Sequence, residues 1–533
     1  MALEELLGGV LSFTSLFTAG QPRFNQHDCQ LQNSVSGNTA HLINACKVVK
    51  KDGHGQGSSQ LEPLIPSRNV HETYGSFKNN KPINNSWTRS FCRSLSASVT
   101  IQMAIVPLGV LIAAALYLNL NTTDLCFERM RRDSTLPEDL MKWRLIGDSL
   151  ETIAIHLWFP FTLAVLFGWR DFKNDYFSTF YISLVFGCIV VAFKIFLYFF
   201  HLYQTKQYFI YFGNFMFLLE LIICSNLVGR KTIAKHPTVA LSKFQISTIV
   251  SMQFIAGFVI AMAYMYVIVA SFNRIKNDIM RAMVALITPI FAVIPKALCK
   301  QLALRSSEIT DKRGSFVLVY YLCGVVTITY RTMQADVKST WIFIGISVLH
   351  GILHVSKKAA KKYIEKFWSF LIYVFRRLFC DQRGVRRSFN DTPHELRLHA
   401  DLDIQNMLYE YTSIILIQIY FALYLITNFE VTSWTVIKSA LLRIAIGVGI
   451  EVFFNCLAIF IQMHWNGIPV ARIWFKHWRL HMLANAFLAA MTVSYFSPVL
   501  LEIVEVRMNS HQTMNMTNCT QPFQKVQHFF NKL

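Results

Sequence analysis

Long apolar stretches separated by polar loops occupy the chain from residue 97 onward. Most hold roughly 20 residues, the length that an α-helix needs to cross ~30 Å of hydrocarbon. The pattern predicts eleven membrane-spanning helices: Ala97–Leu120, Ser149–Trp169, Phe177–Tyr203, Tyr208–Val228, Phe244–Phe272, Ala282–Ala303, Ser315–Tyr330, Trp341–Val355, Tyr411–Phe429, Ser439–Met463 and Leu480–Ile503. If the short seventh and eighth spans form a re-entrant hairpin, the number falls to nine. We therefore expect an all-α, polytopic membrane helix bundle.

The same pattern divides the chain into segments. Residues 1–95 are polar and show no sustained periodicity, which predicts a disordered N-terminal tail in the cytosol. Spans one to eight fall within residues 96–356, and spans nine to eleven fall within residues 411–503. The connecting segment is 357–410, and residues 504–533 form the predicted non-cytosolic C-terminal tail.

The connecting segment begins with a basic and aromatic stretch, residues 357–380. Its apolar middle, Phe367–Phe375, is too short to cross a membrane, and Lys and Arg residues flank it on both sides. This arrangement is typical of a helix that lies in the membrane interface. We expect this basic amphipathic helix to bind anionic lipid headgroups on the cytosolic side.

The chain is strongly basic, with a formal net charge of +20. With the N-terminus in the cytosol, most Lys and Arg residues outside the spans fall on the cytosolic side, as the positive-inside rule requires. The charge is therefore explained by topology. No DNA- or RNA-reading motif accompanies it, so nucleic acid is not an expected partner.

The predicted topology makes testable assignments on the non-cytosolic side. The glycosylation sequons at Asn121, Asn515 and Asn518 all fall there. Cys126 and Cys519 fall there too, which makes a disulfide between them possible in an oxidising compartment.

Two short strings in the N-terminal tail bear on the host membrane. Tyr74–Phe77 fits a tyrosine-based sorting signal, and Glu62–Ile65 is similar to a dileucine signal. The predicted location is therefore an integral, multi-pass position in the plasma membrane or an endolysosomal membrane. Glu4 and Glu5 stand where a secretory signal would carry positive charge, so we expect no cleavable leader.

Four of the ionisable residues inside predicted spans stand out, because charge there is costly and usually faces protein or water. Lys194 and Glu220 flank a short turn at similar predicted depths, so a salt bridge between them is expected. It either fixes helix register or makes Glu220 a proton or cation site. Glu451 shares a face of its helix with Arg443, two turns away. These four residues form the predicted substrate or ion pathway, with the acids as titrating groups and the cations as their partners.

Pro289 and Pro295 interrupt the sixth span, and each removes a backbone hydrogen bond from the helix. Broken membrane helices expose backbone carbonyls and allow bending. The pair is a candidate hinge, although an ordinary kink has the same sequence signature.

Six histidines gather near the predicted cytosolic face, two of their pairs at four-residue spacing that suits a shared metal ion. They are His350, His354, His394, His399, His477 and His481. The chain has none of the His-x-x-His-His boxes of membrane desaturases and hydroxylases. A structural role for these histidines is therefore the simpler interpretation.

Three functions remain open at the level of sequence. The first is a transporter or channel for a small solute or ion, with proton coupling as one form of it; it needs no cofactor and is not an enzyme. The second is a metal-dependent membrane enzyme acting on lipid at the cytosolic face through the histidines. The third is a receptor or scaffold that signals through residues 357–410.

Overall fold

A computed structural model of the chain describes residues 87–118, 138–202, 206–237, 241–306, 309, 314–337, 339–361, 363, 393–428 and 432–509. Within these residues the secondary structure is helical, and no strand occurs. The sequons at Asn121, Asn515 and Asn518 and the cysteines Cys126 and Cys519 lie outside the described residues. Their predicted modifications therefore stay predictions.

The described part of the chain contains thirteen helices of ten residues or more: α1 (Trp87–Leu118), α2 (Glu138–His156), α3 (Trp158–Phe167), α4 (Ser178–Phe199), α5 (Lys206–Lys235), α6 (Lys243–Ala263), α7 (Asp278–Ile287), α8 (Val293–Arg305), α9 (Val317–Asp336), α10 (Thr340–Ala359), α11 (Pro393–Asn428), α12 (Ser433–His464) and α13 (Val470–Asn509). Shorter helical pieces are Trp169–Asp171, Ala270–Arg274, the 3-10 turn Thr288–Ala292 and the π-helical turns Phe172–Tyr176 and Tyr264–Val269. Gly168 joins α3 to the first of these with a φ of 86°, a conformation that glycine adopts readily.

Eight candidate membrane spans occur among the described residues: Trp87–Val110, Arg144–Phe167, Ser178–Phe199, Tyr211–Lys235, Lys243–Arg274, Asp278–Arg305, Thr340–Ala359 and Ser433–His464. Each is long and apolar enough to cross a membrane, and each overlaps one of the predicted spans. The all-helical membrane architecture predicted from sequence is thus confirmed. The seventh, ninth and eleventh predicted spans fall within α9, α11 and α13, which are not among the eight.

Helix α9 explains why apolar length is an incomplete guide here. Apart from Thr327, every residue of α9 is buried, because α6, α8, α11 and α13 pack against it. A helix enclosed by other helices has no need of an apolar surface on every side. Its 20 residues also exceed the predicted seventh span, because the helix continues past Arg331 to Asp336.

Two boundaries differ from the sequence prediction. Helix α1 begins at Trp87, within the predicted tail, and Trp87 packs edge-on against Phe460 of α12 with ring centroids 4.7 Å apart. Helix α11 is continuous from Pro393 to Asn428, so it includes the end of the connecting segment as well as span nine. Polar residues in both segments face other helices, and a hydropathy pattern does not detect such helices. Of the stretch 357–380, residues 362 and 364–380 lie outside the described part.

Close helix packing around α10 depends on one glycine. A Cβ at Gly351 would overlap the ring of Phe454 on α12, whereas a Cβ at Gly345 in the same helix meets nothing within 4 Å. We expect Gly351→Ala to lower the free energy of unfolding by about 1–3 kcal/mol, the usual effect of overpacking. Gly345→Ala should leave it unchanged or raise it slightly, because alanine favours helix. Thermal unfolding of both variants in detergent is the measurement, and equal midpoints would contradict the packing argument.

Candidate functional site

The most polar part of the described interior lies where α9, α10, α11 and α12 meet. Arg331 and Gln334 are one turn apart on α9, and Arg331 Nη1 donates to Gln334 Oε1 at 2.7 Å. Arg331 Nη2 donates to the Glu451 carboxylate on α12. Arg331 is 3% exposed and Glu451 is 1% exposed, so this is a fully buried ion pair between two helices.

Helix α10 adds a hydrogen-bonded side to this pair. Gln334 Nε2 donates to Ser347 Oγ at 2.6 Å, and Ser347 donates to the carbonyl of Phe343 at 3.0 Å. Ser347, His350 and His354 follow one another at helical spacing, so they face the same neighbours. The guanidinium of Arg331 is therefore linked through Gln334 to α10.

Helix α11 contributes a second carboxylate. His350 Nε2 lies 3.7 Å from Glu410 Oε1, and the ring of Tyr330 stacks on His350 with centroids 4.7 Å apart. Glu410 also interacts electrostatically with His354 and Arg331. Among the described residues, Glu410 Oε2 and the Tyr330 hydroxyl are buried without a hydrogen-bond partner. We call the set Arg331, Gln334, Ser347, His350, Glu410 and Glu451 the central polar cluster.

The central polar cluster has the chemistry of a cation site. One ligand atom from each of His350, Glu410 and Glu451 lies within 4.8 Å of the other two, and no other such trio occurs in the described ranges. An imidazole with two carboxylates suits divalent metals such as Zn²⁺, Mn²⁺ or Fe²⁺. With His350 neutral, two carboxylates and one guanidinium leave one net negative charge. A bound cation or a proton on His350 would offset that charge.

A glycine allows α12 to reach the cluster. A Cβ at Gly447 would lie 3.4 Å from both Ile414 of α11 and Phe343 of α10. Gly447 is one turn from Glu451, so the close approach of the three helices occurs next to the carboxylate. Glycine permits such close packing of membrane helices because it has no side chain.

The predicted pairing of Arg443 with Glu451 is wrong. Eight residues of helix separate them by ~12 Å along the axis, and Arg443 Nη1 donates to the carbonyl of Ala335 at 2.9 Å. Its guanidinium also lies 5.9 Å from the centre of the Phe343 ring. Glu451 is instead neutralised by Arg331, a residue of a neighbouring helix.

Glu220 belongs to a different polar group, between α2, α4 and α5. Its carboxylate is fully buried and binds Nδ1 of His156 and the hydroxyl of Ser183, which donates to Oε1 at 2.5 Å. Lys194 lies elsewhere, where Nζ donates to the carbonyl of Asp148 at 2.9 Å and to Thr152 Oγ1 at 2.7 Å.

The expected Lys194–Glu220 salt bridge is therefore wrong, for a geometric reason. Helix α4 ends at Phe199 and α5 begins at Lys206. Measured from these ends, Lys194 lies five residues deep and Glu220 fourteen, a difference of ~13 Å along the helices. The sequence prediction placed the two residues at similar depths because it extended the third span to Tyr203, whereas α4 ends at Phe199.

The six histidines do not form one metal centre. His350 and His354 lie at Glu410, whereas His481 on α13 lies 3.1 Å from Asp401 Oδ1 and 3.0 Å from Gln405 Nε2. Backbone angles at His477 are non-helical, so His477 and His481 do not share a regular helix face despite their spacing.

The remaining two histidines lie near the N-terminal end of α11. His399 Nε2 lies 2.8 Å from Lys300 Nζ. Burial lowers the pKa of His399 well below its ordinary value, and the nearby Lys300 lowers it further, so the neutral ring accepts a hydrogen bond from the Lys300 ammonium. His394 is one turn earlier on the same helix. The six histidines therefore do not form a single metal centre. The three pairs lie on different helices and contact different partners.

The predicted interruption by proline is present. The helix divides into α7, the 3-10 turn Thr288–Ala292 and α8, with Pro289 in the turn and Pro295 near the start of α8. Tyr264, itself fully buried at the start of a π-helical turn, donates its hydroxyl to the Thr288 carbonyl at 2.9 Å. Thr288 Oγ1 also lies 3.7 Å from Met333 of α9. The break is thus held by α6 and α9, and its action as a hinge stays a prediction.

Six residues of these two sites were missed in the sequence: Arg331, Gln334, Ser347, Glu410, His156 and Ser183. Arg331 follows directly after predicted span seven, and Glu410 directly precedes span nine, so each was assigned to a loop. His156, Ser183 and Ser347 lie inside predicted spans, where only Lys, Arg, Asp and Glu were considered for the ion pathway, so these three residues were passed over.

No family model, curated protein or solved structure matches the chain. The described helices are nevertheless those of a membrane protein, long and apolar enough to cross a bilayer. Two polar groups, the central polar cluster and the Glu220 group, are the sites of buried charge with the clearest chemistry in the described part.

The Arg331–Glu451 pair allows a direct test of the cluster's electrostatics. We expect Arg331→Met to lower the free energy of unfolding by about 3–5 kcal/mol, because it leaves a buried carboxylate without its cation. Arg331→Met combined with Glu451→Met removes both charges and should restore most of that loss. Arg443→Met is the matched control and should be milder, since Arg443 donates to the Ala335 carbonyl. Unfolding in detergent measures all four proteins, and a double variant as unstable as Arg331→Met would contradict the pairing.

Proposed function

We propose that this protein is a multi-pass membrane transporter for a small cation, which binds at the central polar cluster. The observation that carries the proposal is the convergence of His350, Glu410 and Glu451 from three different helices on one buried point. Ionisable groups inside a helical membrane bundle are costly and typically mark ion or proton pathways. Here their arrangement also matches the ligand set of a cation.

Arg331 gives the proposed site a reversible resting state. Without a bound cation, its guanidinium neutralises Glu451. A cation that takes Glu451 as a ligand competes with Arg331 and weakens a contact between α9 and α12. Binding would thereby favour an arrangement of α9 and α12 without the Arg331–Glu451 contact over the arrangement with it. A substrate shifts a conformational equilibrium only through such a difference in free energy between two states. The broken helix α7–α8 contacts α9 at Met333 and offers a place for such movement.

A metal-dependent membrane enzyme acting on lipid is the second candidate. The observation in its favour is the same trio, because a histidine and two carboxylates can hold a catalytic metal with open positions. The two functions differ in outcome. A transporter moves the cation across the bilayer, whereas an enzyme retains its metal and releases a changed lipid.

The proposal predicts that Glu410 is required for cation binding and flux. Purified protein in proteoliposomes is assayed with Mn²⁺, Zn²⁺, Na⁺ and K⁺ separately, and we expect uptake of at least one of them. Glu410→Gln should weaken its apparent affinity by roughly tenfold to a hundredfold, as expected when a charged ligand worth ~1.5–3 kcal/mol is removed. Glu451→Gln should also impair uptake, but it leaves Arg331 unpaired and is the less clean variant.

Asp171→Asn is the matched control for Glu410→Gln, since the Asp171 side chain is 57% exposed and lies outside the cluster. Its uptake should equal that of the wild type. Uptake that is unaltered in both Glu410→Gln and Glu451→Gln, or no uptake of any tested cation, would contradict the proposal. Tightly retained metal without flux would instead favour the enzyme.

A further inference from the structure

A file of polar residues runs along one face of α2, apart from the central polar cluster. Asp148, Thr152 and His156 follow Arg144 at every fourth position, so all four lie near one another on the helix surface. From Asp148 to His156 the file extends ~12 Å along the axis. Most of it lies inside the candidate span Arg144–Phe167, where polar side chains need a structural or functional reason.

The beginning of the file is a group of balanced charges. Arg144 Nε lies 3.6 Å from Asp148 Oδ2, and Lys194 of α4 donates to the Asp148 carbonyl and to Thr152 Oγ1. Glu151 interacts electrostatically with Asp148, Lys194 and Arg144. This end of the file thus brings together two basic and two acidic side chains. The Asp148 side chain is 15% exposed, so this end of the file lies nearer the surface of the bundle than the fully buried Glu220 does.

The far end of the file is His156, which binds Glu220. Gly187 of α4 allows the close approach that this contact needs, because a Cβ there would lie 3.4 Å from the His156 Cβ. Ser183, one turn before Gly187, donates to the other carboxylate oxygen of Glu220. Both oxygens of a fully buried carboxylate are therefore held, one by a titratable ring and one by a hydroxyl.

Few other charges act on Glu220. Among the described residues, the titratable groups that face it are His156 of α2 and Cys224 of its own helix. Ser183 is the polar contact from α4, and the ring of Phe217 lies edge-on to His156 at 5.9 Å. With one proton the His156–Glu220 pair is neutral, and without it the pair is a buried anion. The pair can therefore store one proton.

We propose that His156 and Glu220 form a proton-binding site, filled along the polar file of α2 from the Asp148 end. The Thr152 hydroxyl donates to the Asp148 carbonyl at 2.7 Å, so a proton that arrives from water at its oxygen is passed on when the hydroxyl turns from that carbonyl toward His156. The His156 ring takes the proton at Nε2 and gives up the Nδ1 proton to Glu220, which becomes a carboxylic acid. One proton is bound in total, and His156 is left neutral. The ~6 Å rise between Thr152 and His156 requires one bridging water.

This site shares no residue with the central polar cluster, so it stands whether or not the protein carries a cation there. It predicts that Glu220 changes its protonation with pH, which a purely structural contact between α2, α4 and α5 does not require. The C=O stretch of a protonated carboxylic acid, followed by infrared difference spectroscopy in lipid bilayers, reports that change directly.

In the full-length wild-type protein, we expect a carboxylic acid band of the buried Glu220, at a frequency distinct from that of the exposed Asp and Glu residues, to appear as pH is lowered. Glu220→Gln should abolish it, and Glu220→Asp should retain it at a shifted position. Asp171→Asn, an exposed carboxylate outside the file, should leave it unchanged. A band that persists in Glu220→Gln, or that never changes with pH in the wild type, would overturn the site. If Glu220→Gln does not fold, Glu220→Asp decides the same question. A band at a changed frequency in this variant supports the site, and a band at the wild-type frequency would overturn it.

The path is tested separately from the site. Thr152→Val removes the relay hydroxyl with little change in shape and should slow appearance of the band after a rapid pH jump by roughly tenfold or more, with its final amplitude unchanged. Thr248→Val on α6 is the matched control, because the Thr248 hydroxyl also bonds a carbonyl one turn earlier, that of Phe244, at 2.8 Å. An unaltered rate in Thr152→Val would overturn the path.

Discussion

Buried charge in an apolar bundle must be compensated by protein, and this constraint organises the interior. An unpaired ion away from water costs several kcal/mol, whereas a paired one is tolerated when further hydrogen bonds complete the group. Arg331 satisfies this through Glu451 and Gln334, and Arg281 satisfies it through Asp336 at 2.8 Å. The two ion pairs, Arg331–Glu451 and Arg281–Asp336, each join two different helices, so charge compensation also fixes helix positions.

Helix α9 shows how compensation and packing depend on each other. Because other helices enclose it, α9 can carry Arg331 and Asp336 without exposing either to lipid. Those residues then hold α12 and α7 against it. The absence of a side chain at Gly351 and the contact made by Gly447 keep α10, α11 and α12 close enough for His350, Glu410 and Glu451 to converge.

Two separate polar groups suit a protein that moves charge. The central polar cluster provides metal-type ligands with a built-in competing cation, Arg331. The His156–Glu220 pair provides a place for one proton at the end of a polar file. A cation transporter that also binds protons needs both kinds of site, and a shared conformational change is what would connect them.

The sequence alone determined the all-helical membrane architecture, because apolar length along a single chain is a local property. It also located the break at Pro289 and identified Glu220 and Glu451 as buried acids. Only the tertiary structure decided their partners. His156 and Arg331 come from other helices, and their distances to the acids depend on where helices end and which faces meet. Glu220 lies fourteen residues from the start of α5, and α9 is enclosed by other helices. Both features depend on how the helices pack, which no pattern in the linear sequence specifies.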